Sequence, residues 1–311
     1  MIRVRIPATT ANLGPGFDCM GLALDLWNTF ELHLGKFGHE IVVESHGEGA
    51  EKLPTDHTNL IVETMVSELA ANNIAKTRNV RIVCHNAIPC ASGLGSSSSA
   101  VLAGVLFAHS FVAEKNHSDP AAIDREKALA RAVAIEGHGD NVAPALLGGF
   151  VIVVPESDGS VITQRIPHVP VKTVVCVPDF AYLTSQARAA LPQNYSKEDA
   201  IYNIGRAMLV AEALRSGDDE LLAHSMNDRI HEPYRLKDIP GASGAKVAAK
   251  EAGALCVSLS GAGPGMIAFA RHGYDRIGRS MKQAFKEAGL EARYWILDAT
   301  DQGVHIGRLP V

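Results

Sequence analysis

Cysteine is scarce in this chain and poorly spaced for a covalent or metal framework. There are five, Cys19, Cys84, Cys90, Cys176 and Cys256, an odd number with no C-x-x-C pair. That argues against a disulfide frame or a zinc site and fits reduced thiols in a cytosol, so a cytoplasmic location is expected. Positive charge is also in short supply. Lys and Arg number 29 against 34 Asp and Glu, giving a net charge of −5, and no basic cluster stands out. Neither nucleic acid nor an anionic membrane surface is expected as a partner. No apolar run is expected to reach membrane-spanning length. The opening Met1-Ile2-Arg3-Val4-Arg5-Ile6 alternates like a strand instead of forming a signal-peptide apolar segment. Internal repeats and low-complexity segments are missing as well, which leaves an ordinary globular protein.

What the chain does have is one stretch of unusual composition, Pro89-Cys90-Ala91-Ser92-Gly93-Leu94-Gly95-Ser96-Ser97-Ser98-Ser99-Ala100. A β-branched run, Val80 to Val83, precedes it, and a long apolar, small-residue run, Ala100 to Ala113, follows it. The order is strand, glycine-serine loop, helix. Glycines let a backbone turn tightly and approach a ligand. A helix start offers unpaired N–H groups and the positive end of a dipole. Together they form an anion site, most often for phosphate. The serines add caps and hydroxyls able to reach phosphate or a metal ion.

The length, 311 residues, suits two domains. Patterning predicts strands over 2–8, 22–34, 40–45, 79–85, 150–154, 160–166, 171–178, 254–260, 266–270 and 292–298. It predicts helices over 59–72, after the glycine loop, from Asp119-Pro120 to about 135, and over 184–190, 196–216, 218–227, 241–252 and 274–288. Ser196 with Asp199 gives the long helix a box-like cap. Pro167 and Pro170 bracket a boundary, so domains of 1–168 and 169–311 are expected. Strands and helices alternate with hairpins in both halves, an α+β or mixed α/β class.

The glycine loop lacks the Gly-Lys-Ser/Thr of a Walker loop, and Ser98 stands where a dinucleotide-binding loop has its last glycine. From Pro89 to Ser99 it resembles the phosphate loop of the GHMP kinases, P-x-x-x-G-L-G-S-S-[SA]-[SA]. Four further stretches extend the resemblance, the first three to the homoserine kinases of that family and the last to the family's third motif, a second glycine turn. They are Pro7-Ala8-Thr9-Thr10-Ala11-Asn12-Leu13-Gly14-Pro15-Gly16-Phe17-Asp18, Glu136-Gly137-His138-Gly139-Asp140-Asn141-Val142, Asp228-Arg229-Ile230-His231-Glu232-Pro233-Tyr234-Arg235, and Ser258-Leu259-Ser260-Gly261-Ala262-Gly263-Pro264. They occur in the family's order over nearly the whole chain. Gly139 departs from the family, which has proline there. The resemblance implies a ribosomal-protein-like N-terminal domain and a ferredoxin-like C-terminal domain, with the active site in the cleft between them.

It also implies a chemistry: ATP as co-substrate, Mg²⁺, and L-homoserine as acceptor on a path towards threonine. ATP is expected on Pro89, Cys90, Ala91, Ser92, Gly93, Leu94, Gly95, Ser96, Ser97, Ser98 and Ser99, with Asn59 on the adenine side or simply capping a helix. Mg²⁺ is assigned to Glu136 with Ser96 or Ser97. Glu126 is a rival, because the position that serves magnesium in several relatives is Ala130 here. The acceptor's carboxylate calls for arginine forks, Arg188 and Arg235, with Thr184 and Gly261 counted in the same site. Its ammonium has Asn12, Asp18 and His138 as candidates. Asn141 stands where sugar and mevalonate kinases carry an aspartate base, and an amide can orient a hydroxyl but not deprotonate it. Direct attack on the γ-phosphate without a strong base is expected, with Asn141, Asp18 and Arg188 as the catalytic set. Asp140 and His138 are rival bases, although adjacent residues rarely face the same way. Another small-molecule kinase of the family, or a silent nucleotide-binding relative, are the alternatives. A homodimer is one option for assembly.

Overall fold

A computed structural model describes residues 1–34, 41–74 and 80–309. Its frame is two sheets, each with helices laid on it. The first contains β1 (Ile2–Ala11), β2 (Met20–Leu34), β3 (Ile41–Gly47), β4 (Val80–Asn86), β5 (Phe150–Pro155), β6 (Val161–Ile166) and the last strand of the chain, β11 (His305–Arg308). Its order is β11-β1-β2-β4-β3, with the β5–β6 hairpin attached to β2. All pairings are antiparallel except β3 with β4. The second sheet is antiparallel, ordered β10-β7-β9-β8, from β7 (Lys172–Pro178), β8 (Cys256–Leu259), β9 (Met266–Ala270) and β10 (Ala292–Asp298). The two sheets change over near the proline bracket, and β11 then returns to pair with β1. The sequence pattern had not marked β11, whose four residues are too short for a periodic signal.

Over the first sheet lie α1 (Leu60–Ala71), α2 (Ser96–Lys115), α3 (Arg125–Glu136) and α4 (Val142–Leu147). Over and beside the second lie α5 (Thr184–Ala189), α6 (Lys197–Ser216), α7 (Asp219–Ser225), α8 (Glu232–Asp238), α9 (Ala242–Glu251) and α10 (Tyr274–Glu287). α2 is the spine of the first layer. Its Leu102, Val105 and Leu106 are fully buried against Val4, Ile6, Phe30, Leu32 and Ile82 from the sheet, and α1 and α3 cover its flanks. Each such leucine contributes about 1.5–3 kcal/mol by burial. This corrects one expectation. α2 is, by length and composition, apolar enough to cross a membrane, but most of it is buried inside the protein. An apolar helix surrounded on every side needs no amphipathic stripe.

The helix expected to start at Asp119-Pro120 starts instead at Arg125, where the Asp124 side chain accepts from the Lys127 N–H. Asp119 caps only a turn, accepting from the Ala121 N–H at 2.9 Å, and Ser110 Oγ donates to the Pro120 carbonyl. The expected strand ends at Glu40 and Asn79 lie outside the described residues. The other predicted elements are present within a few residues, and the Ser196 side chain accepts from the Asp199 N–H. α4 and α8 were not foreseen. Both are short and carry proline near their start, Pro144 and Pro233, which blurs the helical period.

Candidate active site

The glycine loop joins β4 to α2 and is pressed between the two sheets. Ala91, Gly93 and Gly95 adopt positive φ, and Gly95 is the N-cap of α2 at φ 73°. A Cβ at Gly93 would collide with the Ser260 carbonyl, and one at Gly95 with the Thr9 hydroxyl. Here glycine is required for both conformation and space. The loop is tied down from both sides. The Thr9 N–H donates to the Leu94 carbonyl at 3.1 Å. Ser260 Oγ donates to the Gly93 carbonyl at 2.7 Å and accepts from Thr10 Oγ1 at 2.9 Å, and the Gly265 N–H donates to the Ser92 carbonyl at 3.2 Å. The second glycine turn therefore braces the first.

A cavity of about 290 Å³ opens at this junction. Its floor is Ala91, Ser92, Gly93, Gly95, Ser96, Ser97 and Ser98, the start of α2. Glu136, His138, Asp140 and Asn141 line one wall, Asn12, Asp18 and Arg188 another, and Tyr182, Leu183, Thr184, Arg235, Gly261, Ala262 and Gly263 the rest. Residues from six separate segments thus converge where a helix start exposes backbone donors.

Glu136 ends α3 beside the loop. It accepts from Ser98 Oγ at 2.8 Å and Ser97 Oγ at 3.2 Å. Among the described residues no Lys or Arg pairs with it; only His138 Nε2 comes near, at 3.9 Å. Glu126 lies ten residues earlier on α3, roughly 15 Å along the axis, and is exposed outside the cavity. Asn59 is not in the cavity either. It caps α1, accepting from the Ile61 N–H at 3.0 Å and donating to the Pro54 carbonyl at 2.8 Å, so its polar atoms are spent on the turn. Pro89, Cys90, Leu94 and Ser99 also fall outside the lining. Leu94 belongs to the core, and Ser99 is buried between the Ser96 carbonyl and the Asn28 amide.

The turn between α3 and α4 brings Asp140 and Asn141 to the same cavity. This corrects the expectation that only one of two neighbours would face it. Alternation holds for a strand, but here the chain is turning into α4. His138 Nδ1 is 2.8 Å from Asp140 Oδ1. Burial opposes a charged imidazole there, but the Asp140 hydrogen bond and the charges of Asp140 and Glu136 outweigh it and hold the His138 pKa above its ordinary value. Asn141 Oδ1 accepts from the Thr9 hydroxyl at 2.8 Å, which leaves its NH₂ free to point elsewhere.

The segment after β1 folds back on itself through Asn12, Leu13 and Asp18, all at positive φ. Asn12 Oδ1 accepts from the Asp18 N–H at 3.0 Å and Asn12 Nδ2 donates to the Gly261 carbonyl at 2.8 Å. Asp18 meets Arg188 of α5 in a two-point ion pair, at 3.0 and 2.9 Å. Both side chains are a little over a third exposed. Such a pair is worth less than about 1 kcal/mol, so an incoming ligand can replace either partner at small cost.

Arg235 of α8 is different. It is 2 % exposed and has no carboxylate partner among the described residues. It donates to the Ala187 carbonyl at 3.2 Å and the Gly261 carbonyl at 3.4 Å, and its Nη1 lies 3.3 Å from His231 Nδ1. His231 Nε2 sits 2.8 Å from the Gly14 carbonyl, a pure acceptor, so the ring proton is on Nε2 and Nδ1 accepts from Arg235. The Phe17 ring lies under both arginines, 5.1 Å from Arg235 and 5.9 Å from Arg188. Burial pulls the Arg235 pKa below its ordinary value. The result is a desolvated cation at the edge of a cavity, held by neutral acceptors. Tyr182, on the same wall, donates to Asp238 at 2.9 Å, and burial with that carboxylate pushes its pKa up to about 12.

The chain matches the family model for the GHMP kinases N terminal domain over residues 59–149 and that for the GHMP kinases C terminal domain over residues 210–287. It is 38 % identical over 293 residues to the homoserine kinase of Carboxydothermus hydrogenoformans, covering 94 % of this chain and 92 % of the relative. The chain belongs to the homoserine kinases of the GHMP family. It is an ATP-dependent small-molecule kinase. The homoserine kinase of Trichormus variabilis is 36 % identical over 292 residues, covering 94 % of each chain. The crystal structure of the Cytophaga hutchinsonii homoserine kinase superposes with a TM-score of 0.83 at 29 % identity, over 98 % of this chain and 96 % of that one.

Among the residues in or against the cavity that sequence reasoning left out of the site are Thr9, Asp140, Tyr182, Leu183, His231, Ser260, Ala262 and Gly263. Asp140 carried a visible signal, a carboxylate two residues from His138. Ser260 did not, because it acts through Gly93, more than a hundred positions away.

Proposed function

We propose that this kinase transfers the γ-phosphoryl group of ATP to the side-chain hydroxyl of L-homoserine, giving O-phospho-L-homoserine on the way to threonine. One observation carries the choice of acceptor: Arg188, Arg235 and Asp18 stand together at the cavity that the phosphate loop opens into. A small zwitterion with a hydroxyl arm matches that set. Its carboxylate takes the place of Asp18 on the Arg188 fork and neutralises Arg235. Its ammonium takes Asp18, steadied by Asn12. A sugar has nothing for two arginine forks to bind.

The loop N–H groups and Ser96, Ser97 and Ser98 cradle the phosphates. Glu136, a cavity carboxylate without a basic partner, fits a divalent cation that keeps several waters, with Ser96 or Ser97 beside it. Mg²⁺ bound there supplies charge neutralisation on the phosphate oxygens. The free NH₂ of Asn141 orients the acceptor hydroxyl for direct attack. Asp140 is committed to His138, and no strong base is needed, because a loose transition state is lowered mainly by positioning and charge. The oxygen–phosphorus bond forms as the β–γ bridge breaks, and the hydroxyl proton leaves with a phosphate oxygen.

The test uses truncated acceptors. 3-Aminopropan-1-ol lacks only the carboxylate of homoserine. Its kcat/KM should fall by a factor of roughly 100 or more, the loss of at least one charge-assisted bond of 1.5–3 kcal/mol and the exposure of an unpaired cation. Equal use of the two alcohols would remove the arginines from the acceptor site.

A further inference from the structure

Asn141 stands at the N-cap of α4, where an asparagine side chain ordinarily accepts from the first free N–H groups of the helix. It makes no such bond here, and its own backbone is already helical, at φ −97° and ψ −39°. Its amide oxygen goes to Thr9 instead, whose hydroxyl donates to Asn141 Oδ1 at 2.8 Å. Both residues are buried, Thr9 to 1 % exposure. Among the described residues Asn141 Oδ1 is the one acceptor that the Thr9 hydroxyl meets. A buried hydroxyl needs an acceptor for its proton. Turned over, the amide would set its NH₂ against Thr9 and leave that proton with none. The hydroxyl therefore fixes which end of the amide is spent and which is free for the cavity that Asn141 lines.

Thr9 also reaches the glycine loop. Its backbone N–H donates to the Leu94 carbonyl at 3.1 Å. Its hydroxyl fills the space that a Cβ on Gly95 would need. The strand is held at this point by the pairing of Thr9 with Ala23 and of Thr10 with Leu22, and Thr10 turns its own hydroxyl the other way, to Ser260. One residue thus holds the loop through its backbone and Asn141 through its side chain.

We propose that Thr9 is a positioning residue for phosphoryl transfer: it locks the Asn141 amide with its NH₂ towards the acceptor and keeps it in register with the phosphate loop. This rests on the reading of Asn141 as the group that holds the acceptor hydroxyl. An NH₂ donates to the hydroxyl oxygen and leaves the hydroxyl proton directed at a phosphate oxygen. That proton must go there as the oxygen–phosphorus bond forms and the β–γ bridge breaks. A turned amide would present Oδ1 and hold the proton back. The two substrates still bind in that case, because the loop, the arginines and Asp18 are untouched. What is lost is alignment at the moment of transfer, which enters kcat and not KM.

Steady-state kinetics with ATP and L-homoserine on Thr9→Val, Thr9→Ser, Asn141→Ala and the double variant T9V/N141A test this, with ATP affinity measured by titration calorimetry. Valine keeps the shape of threonine and removes the hydroxyl. In Thr9→Val kcat should fall roughly 10- to 100-fold, the scale of loss for a misplaced reacting group. Both KM values and the Kd for ATP should stay within about threefold of wild type. Thr9→Ser keeps the hydroxyl and should recover most of the wild-type kcat. Asn141→Ala has no amide to orient, so adding Thr9→Val to it should change kcat by less than about twofold. Thr9→Ala takes the place of Thr9→Val if valine prevents folding. Full kcat in Thr9→Val, an equal loss in Thr9→Ser, losses that multiply in the double variant, or an ATP Kd that rises as far as kcat falls would each overturn the proposal alone. A wild type that does not use homoserine, or an Asn141→Ala variant at full kcat, would overturn the acceptor reading and this proposal with it.

Discussion

Arg235 concentrates the logic of the site in one side chain. It is a buried guanidinium whose hydrogen bonds all go to neutral acceptors, Ala187, Gly261 and His231. A charge in that state costs folding free energy and waits for an anion. Replacing it with a neutral side chain of similar volume should therefore separate stability from function. Arg235→Met is expected to melt at the same temperature as wild type or higher. It should raise KM for the amino-acid acceptor roughly 10- to 100-fold, the equivalent of about 1.5–3 kcal/mol for a hydrogen bond to a charged group, while KM for ATP stays nearly unchanged. Calorimetry and steady-state kinetics on one preparation check both halves; a large loss of stability, or equal damage to both KM values, would mean that Arg235 is structural. The position was legible only through the resemblance, which implies a carboxylate-binding arginine there. Its burial and its neutral surroundings were not, because Ala187, His231 and Gly261 meet it only through the fold.

At the scale of elements, the glycine loop was the most legible part of the molecule. Its conformation is local: a strand before it, a helix after it, and glycines where φ is positive. The α3–α4 turn was less legible. Glu136, His138 and Asn141 stood out, but Asp140 had been set aside on a strand argument that a turn does not obey. That turn makes its own prediction. His138 has a raised pKa in the folded protein, so its charged form is favoured by folding. The stabilisation is fully present below the unfolded value of about 6.5 and is lost as pH rises through the higher folded value. His138→Gln should cost more stability at pH 5.5 than at pH 9, measured by urea unfolding at both. A cost that grew with pH would contradict the Asp140 pairing. Elements of six or seven residues stand at the cavity: α5 and α8 supply Thr184, Arg188 and Arg235, and α4 begins directly after Asn141. Two of them were invisible to periodicity, which needs several turns to register.

The whole molecule places the glycine loop from the first layer and Arg188 and Arg235 from the second around one cavity. The second glycine turn locks the layers together through Ser260 and Gly265. Sequence resemblance anticipated the GHMP kinase fold. It did not anticipate the return of β11 to β1, which ties the end of the chain into the first sheet and makes the layers interdependent. The substrate reading depends on all of this being assembled, since Asp18 and Arg188 are 170 residues apart in sequence. The most direct measurement is ADP release from ATP with the purified chain across a panel of acceptors: L-homoserine, mevalonate, galactose and buffer alone. The expected result is saturable release with homoserine, with phosphate recovered on its side-chain oxygen, and rates near the buffer blank for the others. Turnover of mevalonate or galactose but not homoserine would contradict it, as would ATP binding with no phosphorylation of any acceptor.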